Sequence, residues 1–363
     1  MNHEARLQSL QQAVDQQKLD GMLISHPPNL RYLCGFTGSA GALLVKARGS
    51  VFFTDGRYTQ QANEEVRGAK IAIVRKAPLM AAAEWAGRHG SRGKRSLVIG
   101  VEGEYLTVAT RRRLSDSLPK HIRLREAPPM VERARMVKDA DEVELIRAAV
   151  ATGARLFDRA LEVIRPGVQE IEVAAEMEYA ARRAGADAMS FETIIASGAR
   201  SGLPHGRASA ARIGSGGFVV CDFGVILHGY CSDRTRTVYV GSAPEEARQV
   251  YAAVLEAQQA AIASVRPGVT VGKVDHAARK VLQGKGLAKH FTHSTGHGVG
   301  LEIHEAPRVA KGQQEVLWPG MVITIEPGVY IPGKWGVRIE DMVVVTEQGC
   351  EVLTPTQKEF IVI

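Results

Sequence analysis

Two segments of this chain match at a single offset, and that repeat constrains the fold more than any other feature. IRPGVQEIEVAAEMEYAARRAGA begins at Ile164 and VRPGVTVGKVDHAARKVLQGKGLA begins at Val265. Pro166 pairs with Pro267, Gly167 with Gly268, Val168 with Val269 and Gly185 with Gly286, each 101 residues apart. Each unit reads as a Pro-Gly turn, an amphipathic helix and a stop at glycine. Each is followed by a loop bearing a histidine, LPHG or STGHG, and then by strands bearing two acids. Duplication of this kind predicts a pseudo-two-fold core, two half-domains whose strands meet and point carboxylates into one cleft.

The acids sit where acids are costly. Asp222, Asp233, Glu326 and Glu340 lie in or beside the apolar, strand-type runs FVVCDF, MVITIE and GVRIEDMVVV. Buried carboxylates must be paired or must bind a cation. His297 lies between Gly296 and Gly298, where the backbone can approach closely and leave the imidazole clear. Oxygen-rich ligands with one nitrogen suit Mn²⁺, Co²⁺, Fe²⁺ or Zn²⁺, and four acids can hold two such ions side by side. Metal-assisted hydrolysis is the expected chemistry. His205, His293 and His304 cluster around the same stretches, placed to polarise a carbonyl and shuttle protons. Arg338, two residues before Glu340, is expected to orient that carboxylate.

The chain of 363 residues, 45% apolar, is long enough for two domains. Residues 1–127 alternate strand candidates (GMLIS, GALLV, SVFFT, KIAIV, SLVIG) with helical ones, an α/β pattern. The Pro128-Pro129 break starts the second domain, 128–363. Asp139 reads as an N-cap with Glu142 as its capping-box partner, opening a long amphipathic helix stopped by Arg165-Pro166-Gly167. The fold class is α+β.

Partners follow from composition. The net charge is +7 and the basic run Arg111–Arg113 is the densest, yet no aromatic platform interleaves with it, so it reads as a solvated helix face and not a nucleic-acid patch. No apolar run reaches the length of a membrane span. Leu7, Leu10 and Val14 mark an amphipathic N-terminal helix, not a signal peptide, and a cytoplasmic protein is the expectation. Cys34, Cys221, Cys231 and Cys350 include no CxxC pair. Cys221 and Cys231 could pair across a hairpin, but buried free thiols are the favoured state.

At LPHG, DFG, SDRTRT, HSTGHGVGLEIHE, TIEPGVY and RIEDM the chain resembles the creatinase, aminopeptidase P and methionine aminopeptidase superfamily, the pita-bread metallopeptidases. YLCGFTGSAGALLV and FFTDGRYTQQA resemble the small creatinase-type α/β domain of aminopeptidase P and prolidase. The resemblance covers essentially the whole chain. It implies a C-terminal pita-bread fold with pseudo-two-fold αββ halves, behind that smaller domain. It implies two divalent ions, Mn²⁺ first with Co²⁺ or Zn²⁺ as alternatives, on Asp222, Asp233, His297, Glu326 and Glu340, with Asp233 and Glu340 bridging. A bridging hydroxide would attack the carbonyl before proline. Glu326 would move its proton, and His304 would stabilise the tetrahedral intermediate and, with His205, hold the proline-side residue. His293 would contact the residue after the scissile bond, and Arg338 belongs with these substrate-side groups. The substrates are proline-containing peptides, and a homodimer is the family-level expectation. An Xaa-Pro aminopeptidase is the preferred activity. An Xaa-Pro dipeptidase, prolidase, shares every motif. A pita-bread binding module without catalysis, or a nucleic-acid-binding protein, are the readings from other classes.

Overall fold

Alternation of short apolar runs with amphipathic segments builds a mixed sheet from the N-terminal third of the chain. In the computed structural model, which describes residues 1–88, 96–354 and 356–363, the chain divides into two compact units, Met1–Arg135 and Met136–Ile363. The first contains α1 (His3–Gln16), β1 (Gly21–Ile24), α2 (Pro27–Cys34), β2 (Gly41–Val45), β3 (Ser50–Asp55), α3 (Thr59–Glu65), β4 (Lys70–Val74), α4 (Pro78–Arg88), β5 (Leu97–Glu102), α5 (Val108–Ser117) and β6 (Ile122–Ala127), and the last residue of α6 (Met130–Met136) is the first of the second unit. The sheet order is β4-β3-β2-β1-β5-β6. Strand β6 escaped the sequence reading because Arg123, Arg125 and Glu126 break its apolar pattern. It is an edge strand, where exposed charge blocks pairing with other chains. Arg111, Arg112 and Arg113 are all exposed on α5.

The second unit displays the repeat. Asp139 and Glu142 form the capping box that opens α7 (Ala140–Val163), and α8 (Glu170–Arg183) follows. The other half has α9 (Glu245–Ser264) and α10 (Val271–Gly284). Helices α8 and α10 are both 14 residues long. The matched glycines all adopt the left-handed backbone, with φ of 89° at Gly167, 80° at Gly268, 90° at Gly185 and 73° at Gly286. Only glycine takes that conformation without strain, which is why these positions coincide in the two units.

Strands β7 (Ala188–Met189), β8 (Ile194–Ser197), β9 (Gly217–Phe223), β10 (Val225–Leu227), β11 (Tyr230–Cys231) and β12 (Arg234–Val240) belong to the first half. Strands β13 (Gly296–Gly298), β14 (Glu305–Val309), β15 (Val322–Ile325), β16 (Gly328–Ile331), β17 (Trp335–Arg338), β18 (Asp341–Val345) and β19 (Cys350–Val352) belong to the second. The antiparallel order β12-β9-β8 in one half answers β18-β15-β13 in the other. Helices α7 and α8 bury Leu156, Phe157, Val173 and Met177 against Val219, Cys221 and Val238. Helices α9 and α10 bury Val254, Val274 and Leu282 with Ile323, Ile325 and Val343. Each such side chain contributes roughly 1.5–3 kcal/mol by leaving water, so the two packed layers fix where the acid-bearing strands lie.

All four cysteines are free, and burial pushes the thiols of Cys34, Cys221 and Cys231 up to about 12. Cys221 and Cys231 therefore do not pair across the β9–β12 region. Among the described residues, no helix is long and apolar enough to cross a membrane.

Candidate metal centre

Strand ends deliver the charged side chains. Asp222 is the penultimate residue of β9, and its cross-strand partner is Thr235 of β12, two residues after Asp233. Glu326 follows β15 directly, where Pro327 stops the strand, and Glu340 sits between β17 and β18. The glycines around His297 are required by space. A Cβ on Gly296 would lie 1.9 Å from the Thr324 carbonyl oxygen, and one on Gly298 would lie 2.2 Å from that of Ala306. Any larger residue would push β13 away from β15 and β14 and carry the imidazole with it.

Asp233, His297 and Glu340 each offer a donor atom within 4.8 Å of the others. Nε2 of His297 lies 3.5 Å from Asp233 Oδ2 and 3.5 Å from Glu326 Oε1. Its Nδ1 lies 3.0 Å from the Gly298 carbonyl oxygen, which can only accept, so Nδ1 carries the proton. Burial, with neighbouring His304, pushes the His297 pKa down to about 4, and the ring is neutral at pH 7. A bare nitrogen lone pair thus faces two carboxylates.

The carboxylates tell the same story. Burial, then Glu340, Asp222 and Glu326, raise Asp233 well above the usual range. Burial, then Glu326 and Asp222, do the same for Glu340. Burial pushes Glu326 up to about 8 against the opposing pull of Arg338. Glu340 Oε1 is buried without a hydrogen-bond partner, while Oε2 accepts from Thr235 at 2.8 Å. Acceptors crowded against acceptors need protons or cations between them. The imidazole's backbone anchor on its other nitrogen is the arrangement that orients a histidine toward a metal. The donor set fits divalent cations.

Asp222 is held differently. Its Oδ2 accepts from Arg338 at 2.5 Å. Arg338 is 3% exposed and also donates to Thr235 Oγ1 at 3.0 Å, Pro204 O at 3.1 Å and the Tyr330 hydroxyl at 2.5 Å. The carboxylate that Arg338 touches directly is that of Asp222. Its guanidinium crosses to β9, and it reaches Glu340 only through the Thr235 hydroxyl, which accepts from Arg338 and donates to Glu340. The side chain is long enough to pass over its own strand, a detail that a two-residue spacing does not convey.

His205, His293, His297 and His304 all line one cavity of about 690 Å³, together with the acids and Arg338. The rings of His297 and His304 meet edge-on with centroids 4.4 Å apart. His293 lies 2.8 Å from the Ser294 carbonyl through Nδ1 and 2.9 Å from the Tyr330 hydroxyl through Nε2. The carbonyl takes the Nδ1 proton, so Nε2 accepts from Tyr330, which itself accepts from Arg338. Burial pushes His293 down to about 3, which keeps it neutral. Tyr330, Thr235 and Arg308, which also lines the cavity, were missed by sequence reasoning. Tyr330 lay within the EPGVY motif, but Arg308 stands on an exposed strand position with no pattern to mark it.

Carboxylates and a backbone-anchored imidazole at the meeting of two pseudo-symmetric halves make a site suited to divalent cations. The chain belongs to metallopeptidase family M24, which matches residues 144–347, and its residues 6–137 match the Creatinase/Prolidase N-terminal domain. It is 37% identical to the Xaa-Pro dipeptidase of Pyrococcus furiosus over 98% of this chain and 99% of that one. The structure of an Xaa-Pro dipeptidase from Bacillus anthracis is similar with a TM-score of 0.94 at 38% identity, covering 100% of both chains. That of an X-Pro aminopeptidase from Thermotoga maritima is similar with a TM-score of 0.89 at 36% identity, covering 99% of both.

Proposed function

We propose that this protein is a metal-dependent Xaa-Pro dipeptidase, cleaving the bond between the first residue and proline of a dipeptide. The preference for an aminopeptidase drawn from sequence gives way to its alternative. Full-length relatives named as Xaa-Pro dipeptidases support the change. The observation that carries it is Arg308. It lines the cavity from β14, in register with His297, and among the described residues no carboxylate pairs with it. Arg207, the cavity's other mouth arginine, is paired with Glu192 at 3.0 Å. A dipeptide carries a free carboxylate on its proline, next to the scissile bond, and Arg308 is the guanidinium available to it. In a longer peptide that place is a neutral amide.

Asp222, Asp233, His297, Glu326 and Glu340 would hold two divalent ions, with Mn²⁺ first in this proposal and Co²⁺ or Zn²⁺ as alternatives. When bound, such ions polarise a carbonyl and make water nucleophilic near neutral pH. The chain's own residues supply the rest. Glu326 takes a proton from the attacking water on its carboxylate and passes it to the departing proline nitrogen. His205 and His304 hold the proline-side residue at the cleft mouth, and the Arg338–Tyr330–His293 chain keeps the cleft wall fixed. A homodimer and a cytoplasmic location belong to the same reading.

Arg308→Ala should raise KM for an Xaa-Pro dipeptide about 10–100-fold with kcat little changed, the loss of one charge-assisted hydrogen bond. Steady-state kinetics check this. An unchanged KM removes Arg308 from substrate binding and leaves the dipeptidase reading without its structural support.

A further inference from the structure

The loop that carries His293 is gripped from behind by two side chains of α10. Asp275, 1% exposed, and Arg279 lie one helical turn apart and pair at 2.8 Å. Arg279 donates to the carbonyl oxygens of Phe291 at 3.0 Å and His293 at 2.6 Å, and its guanidinium lies 4.2 Å from the centre of the Phe291 ring. The other Asp275 oxygen accepts from Thr295 Oγ1 at 2.8 Å. The Thr295 carbonyl in turn accepts from the Glu326 amide at 2.7 Å. One turn of helix therefore fixes the main chain on both sides of His293 and reaches the segment that presents Glu326.

The first half holds its histidine loop by the same logic with other residues. Glu170, 0% exposed, accepts from Ser197 and Ser209, backbone amide and hydroxyl alike, and from Arg200, which also donates to the Arg207 carbonyl. Those contacts bracket His205. At the repeat offset of 101, Asp275 corresponds to Ala174 and Arg279 to Glu178, so the two grips are not copies. Two halves that reach the same end with different residues point to the end itself: a fixed histidine loop.

We infer that Asp275 and Arg279 are positioning residues for His293, setting the place of its imidazole in the cleft without touching substrate. The inference rests on the peptidase reading of that cleft. Both ring nitrogens of His293 are committed, one to Ser294 and one to Tyr330, so the ring moves only with its backbone. A shift of the loop breaks the Tyr330 contact, and Tyr330 leads through Arg338 to Asp222.

The test compares Arg279→Gln, Arg279→Lys, His293→Ala and the double variant Arg279→Gln/His293→Ala in the Mn²⁺-loaded full chain. Arg279→Gln should lower kcat/KM for an Xaa-Pro dipeptide about 10–100-fold, the scale of loss from a misplaced group. Arg279→Lys should not restore it, because an ammonium cannot reproduce the fork that spans two carbonyls; if Arg279→Gln does not fold, Arg279→Lys carries the comparison. The double variant should fall within about twofold of His293→Ala alone, since the two act as one unit. Losses that multiply in the double variant, or wild-type kcat/KM in Arg279→Gln, overturn the inference. If the wild-type chain cleaves no Xaa-Pro peptide, the proposed function fails and amide hydrogen exchange decides this point separately. Faster exchange confined to residues 291–297 in Arg279→Gln sustains the grip on the loop, and unchanged exchange there overturns it.

Discussion

Asp233→Ala is expected to abolish both turnover and divalent-metal binding while leaving the protein folded. Asp233 is 5% exposed and shares a 4.8 Å neighbourhood with His297 and Glu340, so its loss removes an oxygen from the centre of the donor set. A fall in kcat/KM of at least about a thousandfold corresponds to roughly 4 kcal/mol of lost transition-state stabilisation. The same substitution has a second consequence of opposite sign. Without metal, Asp233 is an acid crowded by Glu340, Asp222 and Glu326. Removing it relieves that crowding, so the chelated variant should melt no lower than the chelated wild type near pH 8. Calorimetry and metal analysis check both parts. Wild-type turnover in the variant would contradict the assignment of Asp233 as a ligand.

Metal should stabilise the protein more at pH 8 than at about pH 5.5. Asp233, Glu326 and Glu340 all have carboxyl pKa values raised on folding, Glu326 from 4.5 to about 8, with burial as the first cause. A raised carboxyl contributes stability in full below its unfolded pKa and loses it as pH rises through the folded one. The chelated protein therefore weakens between about pH 4.5 and 8 from Glu326, and Asp233 and Glu340 act in the same direction. Divalent ions replace the missing protons, and an ion at a thousand times its Kd adds about 4 kcal/mol. The gap in Tm between loaded and chelated protein should widen toward pH 8. A gap that is constant or narrows with pH contradicts the claim that these acids face a common cation site.

Much of this was legible in local pattern. The offset of 101 marked four glycines that need the left-handed backbone, and the helices between them begin and end accordingly. Asp139 and Glu142 announced the start of α7, because a capping box is a short-range device. Acids in apolar strands pointed to a cleft, since burial of an unpaired carboxylate is costly. What stayed hidden depends on register between distant strands. The pairing of Arg338 with Asp222 spans β17 and β9, and the two-residue spacing of Arg338 and Glu340 does not reveal it. Arg279 lies on a helix where its i,i+4 acid, Asp275, looks like ordinary surface pairing. Only the fold shows that Asp275 is buried and that Arg279 reaches the carbonyls of the His293 loop. Arg308 carries no motif at all, and its meaning comes from the cavity it lines.

The most direct test is hydrolysis of an Xaa-Pro dipeptide and an Xaa-Pro-Xaa tripeptide by Mn²⁺-reconstituted protein beside a chelated control. Cleavage of the dipeptide is expected, with loss of that cleavage on chelation and little or no cleavage of the tripeptide. Efficient cleavage of the tripeptide would contradict the dipeptidase reading in favour of an aminopeptidase. Cleavage of neither peptide by protein with metal bound would contradict the peptidase reading of the cleft altogether.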